Sequence, residues 1–450
     1  MAIKNIYLLK DNIGTIAKYI PFVVLGYLLS YLIFFNTVYA VVVPALFLIA
    51  FIFIKPQIGI YVLPFVLGNI MAVAYFIDTD IVNAIFSPLG AITIFTGGCV
   101  VARRILLNDK FTPSGLYPFM LVISIILFIA ILANHGPDAS PQAATVLKGF
   151  LVYFLVINLL QNHEAVKRFV LCLIIPYTIV AIALIIVFFI FFRSELLGLR
   201  QLEAFKRTSS AVTYSWFLNI VFPLAFSMLL ATRSRGKRLL LMGACAFFIS
   251  AIMLTYTRGG FIILMVTTAA VVALNAIVKK KLKTGIFILT AVFVFFILGH
   301  TRAGESLYLQ FGELTHNLGK TDRWMIYKWN IETFLKNPLC GVGAGVGPRH
   351  SFLFSLLNDN GIFYFIMWFL LFFTCYKNNI WLLRQKMSDA DKAVIIGLLA
   401  SLVGSTVTSI FDPAIYGAVE YAILFWMLRG LETIYINDFR RIDNENIYSG

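Results

Sequence analysis

"RFVLCLIIPYTIVAIALIIVFFIFF", residues 168–192, opens on one cation and then runs for 24 residues without another charge. A helix rises about 1.5 Å per residue and the hydrocarbon core of a bilayer is about 30 Å thick, so about 20 such residues cross it. The stretch therefore reads as a transmembrane helix. Comparable runs recur at 19–36, 38–54, 57–77, 81–102, 116–133, 144–160, 209–231, 239–256, 260–278, 284–299, 355–376, 393–411 and 414–435. Composition agrees, because 60% of the 450 residues are apolar and only 13% are charged, against about 25% charged in soluble domains. The expectation is an all-α, polytopic membrane protein of about 12–14 transmembrane helices, with no sizeable soluble domain. Lys4, Lys10 and Lys18 precede the first run without a small-residue cleavage site, so it reads as a retained helix.

Cationic connections stay on the cytoplasmic side. With the N-terminus inside, 24 of the 36 Lys and Arg fall on inner connections, among them Lys55, Arg104, Lys167, Arg233, Arg238, Lys280, Arg384, Arg429 and Arg441. Both termini are then cytoplasmic. The net charge of +15 needs no nucleic acid, since topology and anionic lipid headgroups account for it. The other twelve cations carry the information. Lys148 stands alone, and the rest occupy three outer places: Arg193, Arg200, Lys206 and Arg207; Arg258; and Arg302, Lys320, Arg323, Lys328, Lys336 and Arg349. The remaining outer turns carry no Lys or Arg. Clustering against the positive-inside tendency points to an anionic ligand at the outer face.

The one long connection is 300–354, on the outer side, and long loops in compact proteins are usually functional or disordered. "TDRWMIYKWNIETFLKNP", 321–338, predicts an ordered helix: Thr321 can cap it, Trp324, Tyr327, Lys328, Ile331 and Leu335 recur at helical spacing, and Asn337-Pro338 stops it. Its Trp and Tyr beside Lys and Arg suit the headgroup level. "CGVGAGVGPRH", 340–350, comes next. It lacks the βαβ context and the acidic residue of a dinucleotide fingerprint. Its alternating glycines instead allow close backbone approach to another helix or a headgroup, and exposed amides there can hold phosphate oxygens.

Other chemistries find little support. No Gly-x-Ser-x-Gly elbow exists, and Ser351 adjoins His350 and points away from it on a helix. His135, His163, His300 and His316 lack paired ligand spacing, Asp78-Thr79-Asp80 reads as a solvated turn between helices rather than a cation site, and the five cysteines suggest neither a disulfide framework nor zinc. No metal or cofactor is expected. Asp359, near an outer boundary, is the main charge within the spans, so polar chemistry gathers at the outer rim. Carriers place such groups near the midplane, and the rim arrangement favours an enzyme.

Four segments, in order, carry a resemblance. "KRTSSAVTYSWFLNIVFPLAF" (206–226) looks like an arginine-containing outer segment leading into a span, and "TYTRGGFIIL" (255–264) is similar to a Ser/Thr-Arg-Gly-Gly helix start. "DRWMIYKWNIETFLKNPLCGVGAG" (322–345) resembles a tryptophan helix followed by Asn-Pro and a Gly-x-Gly turn, and "HSFLFSLLNDNGIFYFIMW" (350–368) a His-led helix with a Gly that re-enters the membrane. Together they resemble the bacterial O-antigen ligase and polymerase superfamily, over about residues 205–370. Ser210 and Tyr214 stand where that pattern has Gly-Thr-Phe and Pro-Asn, so Arg207 aligns less securely than Arg258 or His350.

The resemblance implies a type C glycosyltransferase-like fold with one large periplasmic loop. It divides the chain into N-terminal helices 1–204, a catalytic region 205–378 including loop 300–354, and C-terminal helices with a cytoplasmic tail, 379–450. It implies a bacterial inner-membrane enzyme with a periplasmic active site that moves a glycan from undecaprenyl diphosphate to lipid A-core or to another lipid-linked glycan. Catalysis falls to His350 and Arg258, and diphosphate binding to Arg207 and Arg258, with Arg323 and Arg349 from the same outer cluster. A lipid-linked oligosaccharide flippase is the competing class, and it would need midplane polar groups and two related halves.

Overall fold

The computed structural model describes residues 57–73, 96–98, 100–101, 104, 110–134, 139–160, 162–192, 211–255, 257–279, 322–343, 346, 351–412, 415 and 418–449. The expected spans 19–36, 38–54 and 284–299 lie outside them, as do most of 81–102 and loop residues 300–321. The chain divides into two compact units, 1–109 and 110–450. In the first, α1 (Gln57–Val73) falls inside an expected span.

The second unit holds α2 (Tyr117–Asn134), α3 (Ala139–Leu159), α4 (His163–Phe192), α5 (Ala211–Ala231), α6 (Arg235–Leu254), α7 (Arg258–Lys279), α8 (Asp322–Lys336), α9 (Phe352–Arg384), α10 (Asp389–Phe411) and α11 (Val419–Ser449). Among the described residues there is no strand, and seven helices are long and apolar enough to cross a membrane. The protein is an all-helical, multi-pass membrane protein. α3, α4 and α6 start about one turn before their apolar runs, because polar first turns such as "HEAVK" are helical without being apolar.

Small residues set the packing. A Cβ at Gly397 of α10 would lie 2.8 Å from the Leu224 Cα of α5, and one at Gly404 would meet Thr267 of α7 at 2.6 Å. The Ser401 hydroxyl donates to the Ile220 carbonyl at 2.7 Å. Residue numbers rise along α10 as they fall along α5, so the two helices are antiparallel, with α7 against both. Bilayer tails are as apolar as leucine, so this close approach substitutes for the hydrophobic drive of soluble cores. α3 and α11 run side by side in one direction: Gly149 lies under the Trp426 indole and Gly430 against Val156, while Phe150 meets Trp426 edge-on at 4.7 Å.

At one end the helix turns are pinned by charge. Asp391 pairs with Lys167 at 3.2 Å and accepts from the Tyr435 hydroxyl at 3.0 Å. Asp438 accepts from the His163 backbone N–H at 2.9 Å and faces its ring nitrogen at 3.2 Å. Arg233, exposed, reaches Asp389 at 3.4 Å, and Asn437 donates to the Pro113 carbonyl at 2.9 Å.

Two expectations need correction. Arg429, assigned from sequence to an inner connection, is only 1% exposed. It donates to Glu432 at 2.6 Å and to the Leu398 carbonyl at 3.1 Å, so charge lies inside the bundle after all. A pair three residues apart on one helix neutralises itself before any other helix arrives, which lets a chain carrying charge enter hydrocarbon. The expected span 355–376 lies within one of the seven long apolar helices, but it is not one straight helix. Phe352 and Trp368 would stand about 24 Å apart along a straight helix, yet their rings meet edge-on at 5.0 Å. Gly361, at φ 81° and ψ −176°, reverses the chain. α9 is therefore a hairpin: a short arm, 352–360, and a long arm, 362–384.

Candidate functional site

The far end, opposite the charged turns, is fastened by neutral groups. Thr257 precedes α7, and its carbonyl accepts from Phe261 N–H at 3.1 Å. Its hydroxyl lies 3.0 Å from that of Thr255. Arg258 is thus the first residue of α7. The second glycine of "RGG" has a packing reason, since a Cβ at Gly260 would stand 2.6 Å from both Cβ and Oγ of Ser215 on α5. Asn219, one turn further along α5, donates to the carbonyls of Ser215 at 2.8 Å and Gly260 at 2.9 Å. The first turn of α7 is thereby fixed to the first turns of α5.

α9 begins at the same end. Asn219 lies level with Gly404 of α10, and Ser409, one turn further on, accepts through its carbonyl from the Ser351 hydroxyl at 3.3 Å. Ser215, Asn219, Ser351, Ser405 and Ser409 are all buried, and the Tyr421 hydroxyl donates to Ser405 at 3.2 Å. The helix starts of α5, α7 and α9 thus gather around one polar seam.

The glycine run closes this end. Val342 N–H donates to the Asn358 carbonyl at 2.8 Å, Gly343 N–H to that of Asp359 at 3.1 Å, and Ile362 N–H to that of Pro338 at 2.9 Å. Gly341 and Gly343 have φ of 69° and 94°. A Cβ at Gly341 would lie 2.5 Å from the Asn358 carbonyl oxygen, and one at Gly361 would overlap the Leu339 carbonyl. Only glycine tolerates both this dihedral and this proximity. The expectation of close backbone approach holds for Gly341 and Gly343. Phosphate binding through their amides does not, because the amides of 341, 342 and 343 already donate to the carbonyls of 337, 358 and 359.

α8 spans 322–336, as its sequence predicts, and packs along the short arm, with Tyr327 stacked on Phe354 at 4.9 Å. Asp359, expected at a boundary, is buried at the hairpin tip between buried Asn358 and Asn360.

Of the five residues named from sequence, Arg258 heads α7 and Arg323 sits in the first turn of α8. Arg207, Arg349 and His350 lie outside the described residues. Arg207 precedes α5 by four residues and His350 precedes α9 by two, so the helices carrying or succeeding three of these residues start at one end of one seam. Sequence reading missed Ser215, Asn219 and Ser409. Their signal was weak, single polar residues in apolar helices that recur one turn apart. Compared with known protein families and with curated proteins, the chain matches none.

Proposed function

We propose that the protein is a membrane glycosyltransferase that moves a glycan from a polyprenyl diphosphate, undecaprenyl diphosphate in the bacterial inner membrane, to an acceptor hydroxyl at the periplasmic face. The reading prefers O-antigen ligation to lipid A-core, with repeat-unit polymerisation as its alternative. The observation that carries it is the meeting of the α5, α7 and α9 helix starts, because the sequence attaches Arg207, Arg258 and His350 to those ends.

A diphosphate is already a good leaving group, so stabilising its growing charge is the main task. Guanidinium stays protonated and holds phosphate oxygens through two parallel bonds. Arg258 and Arg207 take that role, with Arg323 and Arg349 in support. As the acceptor oxygen attacks the anomeric carbon, the bond to the diphosphate breaks. The acceptor proton passes to His350, whose ordinary pKa of about 6.5 leaves it largely neutral at pH 7. Arg349 beside it in sequence disfavours the imidazolium further.

His350→Ala and Arg258→Ala variants, inserted at normal levels, are expected to lose glycan transfer; transfer at the wild-type rate would refute the assignment. In a deletion strain, core without O-chain together with accumulated lipid-linked polymer indicates a ligase, and core with a single repeat indicates a polymerase. The buried Arg429–Glu432 pair favours a second reading, a lipid-linked oligosaccharide flippase, since transporters keep ionisable groups inside the bundle. Proteoliposomes that show transport without covalent transfer would establish it.

A further inference from the structure

Next to the first turn of α7 stands a second polar set of different chemistry, whose proposed role deepens the transfer-site reading and rests on it. Trp216 follows Ser215, the residue that Gly260 packs against. Its ring meets Tyr421 edge-on at 6.3 Å, and Tyr421 also meets Phe217 at 5.8 Å. Phe217 in turn stacks on Tyr177 of α4 at 6.4 Å. Glu420, in the first turn of α11, adjoins Tyr421, and Lys148 of α3 adjoins Gly149, which packs on Trp426 of the same helix. In the register that sets Gly149 against Trp426, Gln142, seven residues earlier, comes level with Val419. Ring contacts thus link Tyr177, Phe217 and Trp216 to Tyr421, next to Glu420 at the start of α11, and Gln142 of α3 lies at the same level along the bundle.

Three of these side chains are unsatisfied. Tyr177 is 0%, Gln142 2% and Trp216 8% exposed, and neither the Tyr177 hydroxyl, the Trp216 indole N–H nor either polar atom of the Gln142 amide has a hydrogen-bond partner. A buried polar group without a partner costs free energy, and four such atoms near one helix start call for a bonding partner from outside the chain. The set offers an N–H donor, a hydroxyl that gives and accepts, an amide that does both, and a carboxylate that accepts. An anion would meet Glu420, and a cation would compete with Lys148. Hydroxyl groups, which donate and accept, suit the mixture, and the rings of Trp216, Phe217 and Tyr421 supply apolar surface for the C–H faces of a sugar. We infer that Gln142, Tyr177, Trp216 and Glu420 form a subsite for an uncharged sugar ring beside the diphosphate site.

Full-length protein in detergent tests this with two probes, a neutral trisaccharide (maltotriose) and undecaprenyl diphosphate carrying no sugar, each titrated calorimetrically against wild type and against the double variant Gln142→Leu with Tyr177→Phe. Wild type is expected to bind the trisaccharide saturably and the double variant at least about tenfold more weakly, while both bind the bare lipid diphosphate equally. The double variant is also expected to melt no lower than wild type, since it removes groups that have no partner in the resting protein. Absence of saturable trisaccharide binding by wild type, equal affinity in the double variant, a parallel loss of bare lipid binding, or a lower melting temperature would each overturn the subsite; the last would mean that water or protein already satisfies these atoms. Failure of wild type to bind the bare lipid diphosphate would instead count against the transfer-site reading, and the trisaccharide titration would still decide the subsite.

Discussion

The two ends of the helical unit are fastened by opposite means. At one end, carboxylates at the rim cross between turns: Asp391 to Lys167, Asp438 to His163, Asp389 to Arg233. At the other, neutral hydroxyls, one amide and glycines press backbones together, as at Gly260 on Ser215 and Gly341 on Asn358. Long charged side chains adjust, and each contact can be exchanged for water. Glycine contacts leave no slack. A site that holds its helix starts in one geometry gains from the second kind of fastening, and the residues proposed for chemistry attach to that end.

The sharpest way to break the comparison is to add one methyl group at the far end. Gly361→Ala places a Cβ against the Leu339 carbonyl and forces alanine to φ 81°. Positive φ and overpacking each cost about 1–3 kcal/mol, so the hairpin is expected to lose about 3–5 kcal/mol, read as a lower melting temperature in detergent and a falling yield of folded protein. Glu432→Ala is expected to cost a similar amount, about 3–5 kcal/mol, because it strands Arg429 in the bundle. Replacing both members, Arg429→Met with Glu432→Leu, is expected to restore most of that loss. If the double variant is as unstable as Glu432→Ala alone, the pair's neutrality is not what matters.

Gly260→Ala against Gly259→Ala tests how tightly the first turn of α7 is packed, against Ser215 of α5 and against the Thr257 hydroxyl before its own first turn. A Cβ at Gly260 would lie 2.6 Å from Ser215, whereas one at Gly259 has nothing within 4 Å. Gly260→Ala should lose about 1–3 kcal/mol, and Gly259→Ala should hold its melting temperature or gain up to about 1 kcal/mol from helix propensity. Equal effects would mean that Ser215 moves aside and the seam is softer than its distances imply. If the seam positions Arg258, Gly260→Ala should also lower glycan transfer more than it lowers the amount of folded protein.

Hydropathy revealed most of the described helices to within about a turn, because apolar length is what a bilayer selects. It misread α9, where "SLLNDNGIFYF" is apolar enough to pass for one continuous span although Asn358, Asp359 and Asn360 mark the hairpin tip and Gly361 turns it. The cation count misplaced Arg429 because loop charge and core charge look alike until Glu432, three residues on, is read as its partner. The conformational role of Gly341 and Gly343 was legible from their alternation. What their amides bond to was not, since Asn358 and Asp359 come within reach only once the chain reverses.

The charged end supplies the smallest effects and the control. Asp391→Asn gives up the Lys167 pair and weakens the Tyr435 and Ser388 bonds of a carboxylate with 9% side-chain exposure, for an expected loss of about 1–2 kcal/mol. In 1 M salt, where the Debye length is about 3 Å, the part of that loss due to Lys167 should shrink while the hydrogen-bond part persists. Arg233→Ala removes a pair whose members are 92% and 58% exposed, and no measurable change in melting temperature is expected at any salt concentration. If Arg233→Ala destabilises as much as Gly260→Ala, the contrast between the ends fails, because an exposed charge would then fasten the helices as firmly as a glycine contact. If it is silent, as its exposure implies, stability and geometry concentrate at the neutral end, and the cations of the α5–α6 turn serve orientation in the bilayer rather than the fold.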